Sequence, residues 1–314
     1  MRLDTILRKT QAELKAALIP ELKSLGYSVR VSKGFIYARG TLPVLLVAHL
    51  DTVHKEPVRR ICTSNDGNIL MSPEGIGGDD RAGVYMILQL LQNYHCHVLF
   101  CEDEESGGQG ALAFVNSGIK PSVNYILELD RRGEKDAVFY SCNNPEFTDF
   151  VCSFGFEEEF GSFSDISIIA PALGIAAVNL SCGYEHAHTR HEIINLAHLR
   201  KNIQRVSNML ATPSEPFNYV EGLSFDSNFP DLISLSPAPN QSYALSPSGC
   251  MIEGGDSIYV DHRGAPYEYY EELGVAVALP GYSVWTPSGL PVRYNARLAQ
   301  TTPVIPYEYV ISEY

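Results

Sequence analysis

Two hydrophobic rhythms alternate along the first 212 residues of the chain. Apolar, β-rich runs occupy Gly34–Gly40, Pro43–Val53, His97–Glu102, Val123–Asp130 and Ile175–Ser181. Helical spacing fills Leu3–Leu25, Arg81–Tyr94, Gly110–Asn116, Asn144–Phe154 and Ile194–Ala211. This alternation predicts an α/β fold, a mostly parallel mixed sheet sandwiched by helices. PVLLVA (43–48) and VNYILEL (123–129) are nearly unbroken apolar runs, the mark of strands buried on both faces. The opening segment, through Tyr27, spaces its charges evenly and lacks a secretory apolar block, so it reads as an amphipathic helix.

The rhythm changes near Thr212-Pro213. From Pro213 onward there are 12 Asp+Glu, three Arg and no Lys, together with 11 of the 18 tyrosines and the single tryptophan, Trp285. Short strand-and-turn patterns at DSIYVDHRG (256–264), VAVALPGYSVW (275–285) and LPVRYNARL (290–298) predict a separate, acidic β-rich C-terminal module over 213–314. Tyr and Trp are favoured at interfaces, so the module is a candidate surface for a homo-oligomer, a substitute lid, or a plain stabilising appendage.

Composition excludes several classes. A net charge of −14 argues against nucleic acid and against anionic membrane surfaces, which need a basic face. No run of about 18 apolar residues predicts a membrane span. The seven cysteines are scattered without a CxxC pair, which fits reduced thiols and a cytoplasmic location.

The chemistry gathers where strands end, the edge at which α/β sheets bind ligands. PVLLVA runs into His49-Leu50-Asp51, and HVLFC into Glu102-Asp103-Glu104-Glu105. VNYILEL ends on Asp130, IAAVNLSC leads toward His186 and His188, and Gly77-Gly78-Asp79-Asp80 precedes a helix. Singly, each has an ordinary reading: a hydrogen-bonded histidine, a solvated turn, an N-cap. Together, five segments deliver histidines and carboxylates to one sheet edge. Clustered carboxylates repel, bound cations relieve the repulsion, and mixed His/carboxylate donors suit zinc, with cobalt or manganese as alternatives.

At these residues the chain resembles the co-catalytic zinc exopeptidase superfamily of aminopeptidases, tripeptidases, carboxypeptidases and aminoacylases. HLDTV (49–53), GIGGDDRAG (75–83), EDEESGGQGA (102–111), ELD (128–130) and HTRHE (188–192) match its motifs in order, over roughly half the chain. The resemblance implies that 1–212 is a dinuclear zinc hydrolase domain. Asp79 would bridge two zinc ions, His49 and Asp130 would complete one site, and Glu105 and His188 the other. Asp51 would orient the His49 imidazole. Glu104 would be the general base, taking a proton from the attacking water and passing it to the leaving amine. A cis peptide between Asp79 and Asp80 is also implied. The acid at plus four selects His188 over His186 and His191. His54 reads as a surface or supporting residue, and Arg190 and Asp165 are candidate substrate contacts.

Many relatives insert a lid domain. Here 27 residues separate Asp51 from Asp79 and 57 separate Asp130 from His188, too few for another domain. The activity expected is exopeptidase cleavage of short peptides, aminopeptidase-like. The rival readings are a deacylase of N-acyl amino acids and a non-catalytic binding protein that keeps its metals. Glu104 weighs against the last, since a binder needs no base.

Overall fold

The computed structural model of the chain describes residues 1–161, 163–221, 232–239, 243–245, 251–253, 258–270, 275–279, 282–286, 288–298 and 300–305. Two compact units emerge, Met1–Gly222 and Leu223–Tyr314. The sequence places this break at Thr212-Pro213, but the segment after it stays on the first unit. The Phe217 N–H donates to Asn124 O (2.8 Å), the Asn143 N–H to Val220 O (2.7 Å), and the Phe217 ring packs 5.1 Å from that of Phe147.

In chain order the first unit holds α1 (Leu3–Leu7), α2 (Gln11–Ser24), β1 (Val29–Ser32), β2 (Phe35–Ala38), β3 (Leu42–His49), β4 (Cys62–Thr63), β5 (Ile69–Met71), α3 (Gly78–Leu90), β6 (Cys96–Cys101) and α4 (Gln109–Asn116). There follow β7 (Tyr125–Arg131), β8 (Asp136–Val138), α5 (Pro145–Cys152), β9 (Glu157–Glu159), α6 (Asp165–Leu173), β10 (Ala177–Ser181), β11 (Tyr184–Glu185), β12 (Ile193–Asn195) and α7 (Leu196–Ala211). Eight strands form one sheet in the order β1-β2-β6-β3-β7-β10-β8-β9. Its centre, β6-β3-β7-β10, is parallel, while β1, β2 and β8 join antiparallel. The expected mixed, mostly parallel α/β architecture is what forms. A small sheet, β11-β12-β5-β4, stands apart.

Period-two alternation divides the strand side chains between two cores. Leu46, Ala48, Leu127 and Phe100 pack with Leu14, Val84, Phe147 and Leu199 on one face. Leu45, Val47, Ile126 and Leu99 pack with Phe114, Ile166 and Ile169 on the other. Burial on both faces is why these strands read as unbroken apolar runs. The six described cysteines are free thiols, and Cys250 lies outside the described residues. No helix among the described residues is long and apolar enough to cross a membrane.

Three local departures have identifiable causes. The helix expected over Leu3–Leu25 is two, because Thr10 and Glu13 form a capping box that starts α2 afresh. The helix expected from Ile194 starts at Leu196, after Asn195 caps the N–H groups of Ala197 and His198. Pro171 interrupts the apolar pattern of α6, which the sequence marks only by its Ser164-Asp165 start.

Gly83 lets α3 lie directly on β7. A Cβ there would sit 1.7 Å from the carbonyl oxygen of Leu129, the neighbour of Asp130. Gly83→Ala is therefore expected to cost about 1–3 kcal/mol or more of overpacking. Urea unfolding checks this, and an unchanged midpoint would show that α3 can draw back.

Among its described residues, the second unit forms β-strands and turns. Strands β13 (Leu232–Pro237), β16 (Ile258–Asp261), β17 (Pro266–Tyr270), β18 (Val275–Ala278) and β20 (Gln300–Ile305) close a barrel. A three-stranded sheet pairs β14 (Tyr243–Leu245) with β15 (Met251–Glu253) and β19 (Ser283–Trp285). Among the described residues of this unit, Ala238, Ala244, Ile258, Val260, Leu279 and Val284 form one buried apolar cluster. Parts of the expected strand patterns, Asp256-Ser257 and Pro280-Gly281, lie outside the described residues.

Candidate metal centre

The five ligand-bearing segments meet at the carboxyl edge of the parallel strands. His49 ends β3, Glu104 and Glu105 follow β6, Asp130 lies near the end of β7, Asp79 opens α3, and His188 follows β11. The Asp79–Asp80 peptide is cis.

The donor atoms form two groups that share Asp79. His49 Nε2 lies 3.0 Å from Asp79 Oδ1 and 3.4 Å from Asp130 Oδ1. His188 Nε2 lies 3.2 Å from Asp79 Oδ2 and 3.1 Å from Glu105 Oε2. Two donors each about 2.0–2.1 Å from a tetrahedral zinc stand roughly 3.3 Å apart, so these spacings fit a pair of ions with one oxygen of Asp79 turned to each. Glu105 Oε1 is buried without a hydrogen-bond partner, as a ligand oxygen awaiting a cation would be. Asp80 also lies within metal-ligand range of His49 and Asp130. Its oxygens are already engaged, however, with the N–H groups of His49 (3.2 Å) and Gly83 (2.9 Å).

Asp51 joins two of the segments. It faces His49 Nδ1 at 3.1 Å, and its two oxygens accept the N–H groups of Glu104 (3.0 Å) and Glu105 (3.1 Å). One carboxylate thereby orients the imidazole and sets the turn that carries Glu104 and Glu105. Asn179 brackets Asp130, accepting its N–H and donating to its carbonyl, both at 2.9 Å. The Tyr184 hydroxyl donates to Asp130 Oδ1 at 3.2 Å. Arg81, buried, donates to Leu50 O and, at 3.1 Å, to Lys9 O. Sequence reasoning missed Asn179, Tyr184 and Arg81, because each acts through a tertiary contact that no motif spacing announces.

Of the remaining candidates, Arg190, His186 and His191 are exposed on the loop around His188. Asp165 is fully buried. Neither of its oxygens accepts an N–H or O–H, and the Cys101 thiol lies beside it.

So many carboxylates in one place distort every titration. Burial raises Glu104 to about 9, aided by the charges of Asp130, Asp165 and Glu105 and opposed by His49. Burial likewise raises Glu105 and Asp165 to about 7 and Asp130 to about 6. Hydrogen bonding to Asp79 raises His188 to about 9. For His49, burial works downward but is outweighed by Asp130, Asp51 and Asp79, leaving it well above its ordinary value.

All of these groups hold protons more tightly folded than unfolded. Their contribution to stability is present at low pH and lost as pH rises through the raised values, from about 6 to about 9. Asp79 is lowered and runs the other way, but only at strongly acid pH. The metal-free protein is thus expected to lose thermal stability between pH 5 and pH 9, and zinc to reverse the trend. Unfolding scans with and without chelator measure this; a flat metal-free profile would contradict it.

No protein-family profile matches the chain, and no curated protein matches it by sequence. Solved structures do match by fold. The aminopeptidase PepT of Bacillus cereus aligns at 16% identity and TM-score 0.56, over 67% of this chain and 97% of that one. A tripeptidase of Staphylococcus aureus aligns at 15% identity and TM-score 0.54, over 66% and 95%. The TET1 peptidase of Pyrococcus horikoshii, which can assemble into a tetrahedron or a large octahedral shell, aligns at 15% identity and TM-score 0.50, over 65% and 94%. The likeness to these peptidases is one of fold.

Proposed function

We propose that the chain is a dinuclear metal-dependent exopeptidase acting on short peptides, aminopeptidase-like, with zinc as the metal. The observation that carries this reading is the grouping of five donors about a shared Asp79, with the backbone of Glu104 and Glu105 held by Asp51. His49, Asp130 and Asp79 would hold one ion, and Glu105, His188 and Asp79 the other. Ions held there would lower the pKa of water and polarise a scissile carbonyl.

The chain's own residues do the rest. Glu104 accepts the proton of the attacking water and delivers it to the leaving amine. Burial and then the neighbouring carboxylates raise Glu104; two divalent cations would offset the carboxylates' share and favour the ionised form a base requires. Asp51 holds the His49 tautomer and the Glu104 backbone in register. Arg190, exposed two residues after His188, would meet a substrate carboxylate. Asp165 bears on the site through its charge beside Glu104. A cytoplasmic location and a homo-oligomer belong to this reading, the first supported by the free thiols and the second by the assembly of the TET1 peptidase; the tyrosine-rich C-terminal unit is the surface proposed for it.

The test is metal content together with a panel of free and N-acylated di- and tripeptides. Two ions per chain and cleavage of free peptides are expected. Cleavage confined to N-acyl amino acids would move the reading to a deacylase, and a chain that takes up no zinc would end it.

A further inference from the structure

A further buried carboxylate, outside the five ligands and the base, is bonded to the backbone that carries Asp79. Glu192 is four residues past His188 and has a fully buried side chain. Its Oε1 accepts the N–H of Asp79 (2.9 Å), and its Oε2 accepts the N–H of Gly77 (2.8 Å) and faces His54 Nε2 (2.8 Å). The His54 ring is itself nearly buried, and Gly75 leaves room for it: a Cβ on Gly75 would lie 2.3 Å from the imidazole.

We propose that Glu192 is a positioning residue for the bridging carboxylate, with His54 as its counter-group. This rests on the dinuclear reading above. Three of the five ligand segments converge on this one side chain. Asp79 is held by its own backbone N–H, His49 is tied in through His54 five residues later, and His188 through the short stretch that leads to Glu192. Asp79 must turn one oxygen to each neighbouring group, so small rotations of its backbone would open both sites at once. The Glu192 carboxylate opposes such rotation by pinning the peptide N–H groups on either side of Gly78. Pairing of Ile193 with Met71, at the next residue, anchors Glu192 in turn. A carboxylate is required because all three facing groups are donors, and only an acceptor-only side chain satisfies them together.

Glu192→Gln is the sharpest probe. Its amide would turn an NH2 toward one of those donors, breaking the clamp with almost no change of volume. Zinc affinity measured against a competing chelator is expected to fall about 10–100-fold, the usual effect of losing a residue that orients a ligand. The visible absorption of the cobalt-loaded protein should shift, an effect that a lowered unfolding midpoint alone would not produce. His54→Gln, which keeps a donor toward Glu192 but loses the ring, is expected to weaken zinc binding less. It serves as the test if Glu192→Gln does not fold. Wild type binding two ions, with unchanged affinity and cobalt spectrum in both variants, would overturn the inference and leave the dinuclear reading standing. A wild type that binds no metal would overturn both.

Discussion

Glu104→Gln is expected to lower kcat by about 10²–10⁴-fold, the contribution of a positioned general base, with both metal ions retained. Glutamine keeps the shape and the backbone bonds of the turn, in which the Glu104 N–H donates to Asp51 and its carbonyl accepts from Gly107 and Gly108. What it loses is the capacity to take a proton. The acid limb of the kcat/KM profile, which reports ionisation of the base, should disappear in the residual activity. Glu104→Asp should fall between wild type and Gln, since it keeps the carboxylate but withdraws it by one methylene. An active Glu104→Gln protein with an unaltered pH profile would remove Glu104 from this role.

Asp79→Asn should cost activity on a similar scale, but by losing metal. Its two oxygens are each turned to a different histidine, and an amide offers only one oxygen as ligand. Metal content is expected to fall from two ions to one or none. Loss of the metal contribution, several kcal/mol of transition-state stabilisation, corresponds to roughly 10³-fold or more in rate at about 1.4 kcal/mol per factor of ten. Metal analysis and peptide cleavage measured on the same sample separate this from Glu104→Gln, in which metal stays and activity goes. An Asp79→Asn protein with two ions at wild-type affinity would show that Asp79 does not bridge. Removing metal from wild type with chelator should reproduce the loss, and zinc should restore it only in wild type.

Much of this was legible along the chain because it is local. The parallel core strands announced themselves since both faces are buried, and their polar ends followed from where those runs stop. The set His49, Asp79, Glu105, Asp130, His188 followed from the resemblance of five ordered motifs to those of the zinc exopeptidases. The supporting residues are different in kind. Asp51 was visible through its two-residue spacing from His49, but its hold on the Glu104 and Glu105 backbone joins segments 53 and 54 residues apart. The hold of Glu192 on Asp79 spans 113 residues, and that of Tyr184 on Asp130 spans 54. No periodicity encodes such pairings.

The unit boundary makes the same point. Composition changes at Pro213, yet Phe217 completes the aromatic cluster of Tyr125, Phe147 and Phe150, so packing carries the first unit on to Gly222. The sequence by itself determined the α/β alternation, the β character of the C-terminal unit and the identity of the polar strand ends, because each depends on neighbours within a few residues. Only the tertiary structure decided that those ends form two donor groups about Asp79, that Asp165 is sealed in while Arg190 lies open, and that Glu192 gathers three segments. These depend on distances between parts of the chain far apart in sequence, which are set when the two cores close around the sheet.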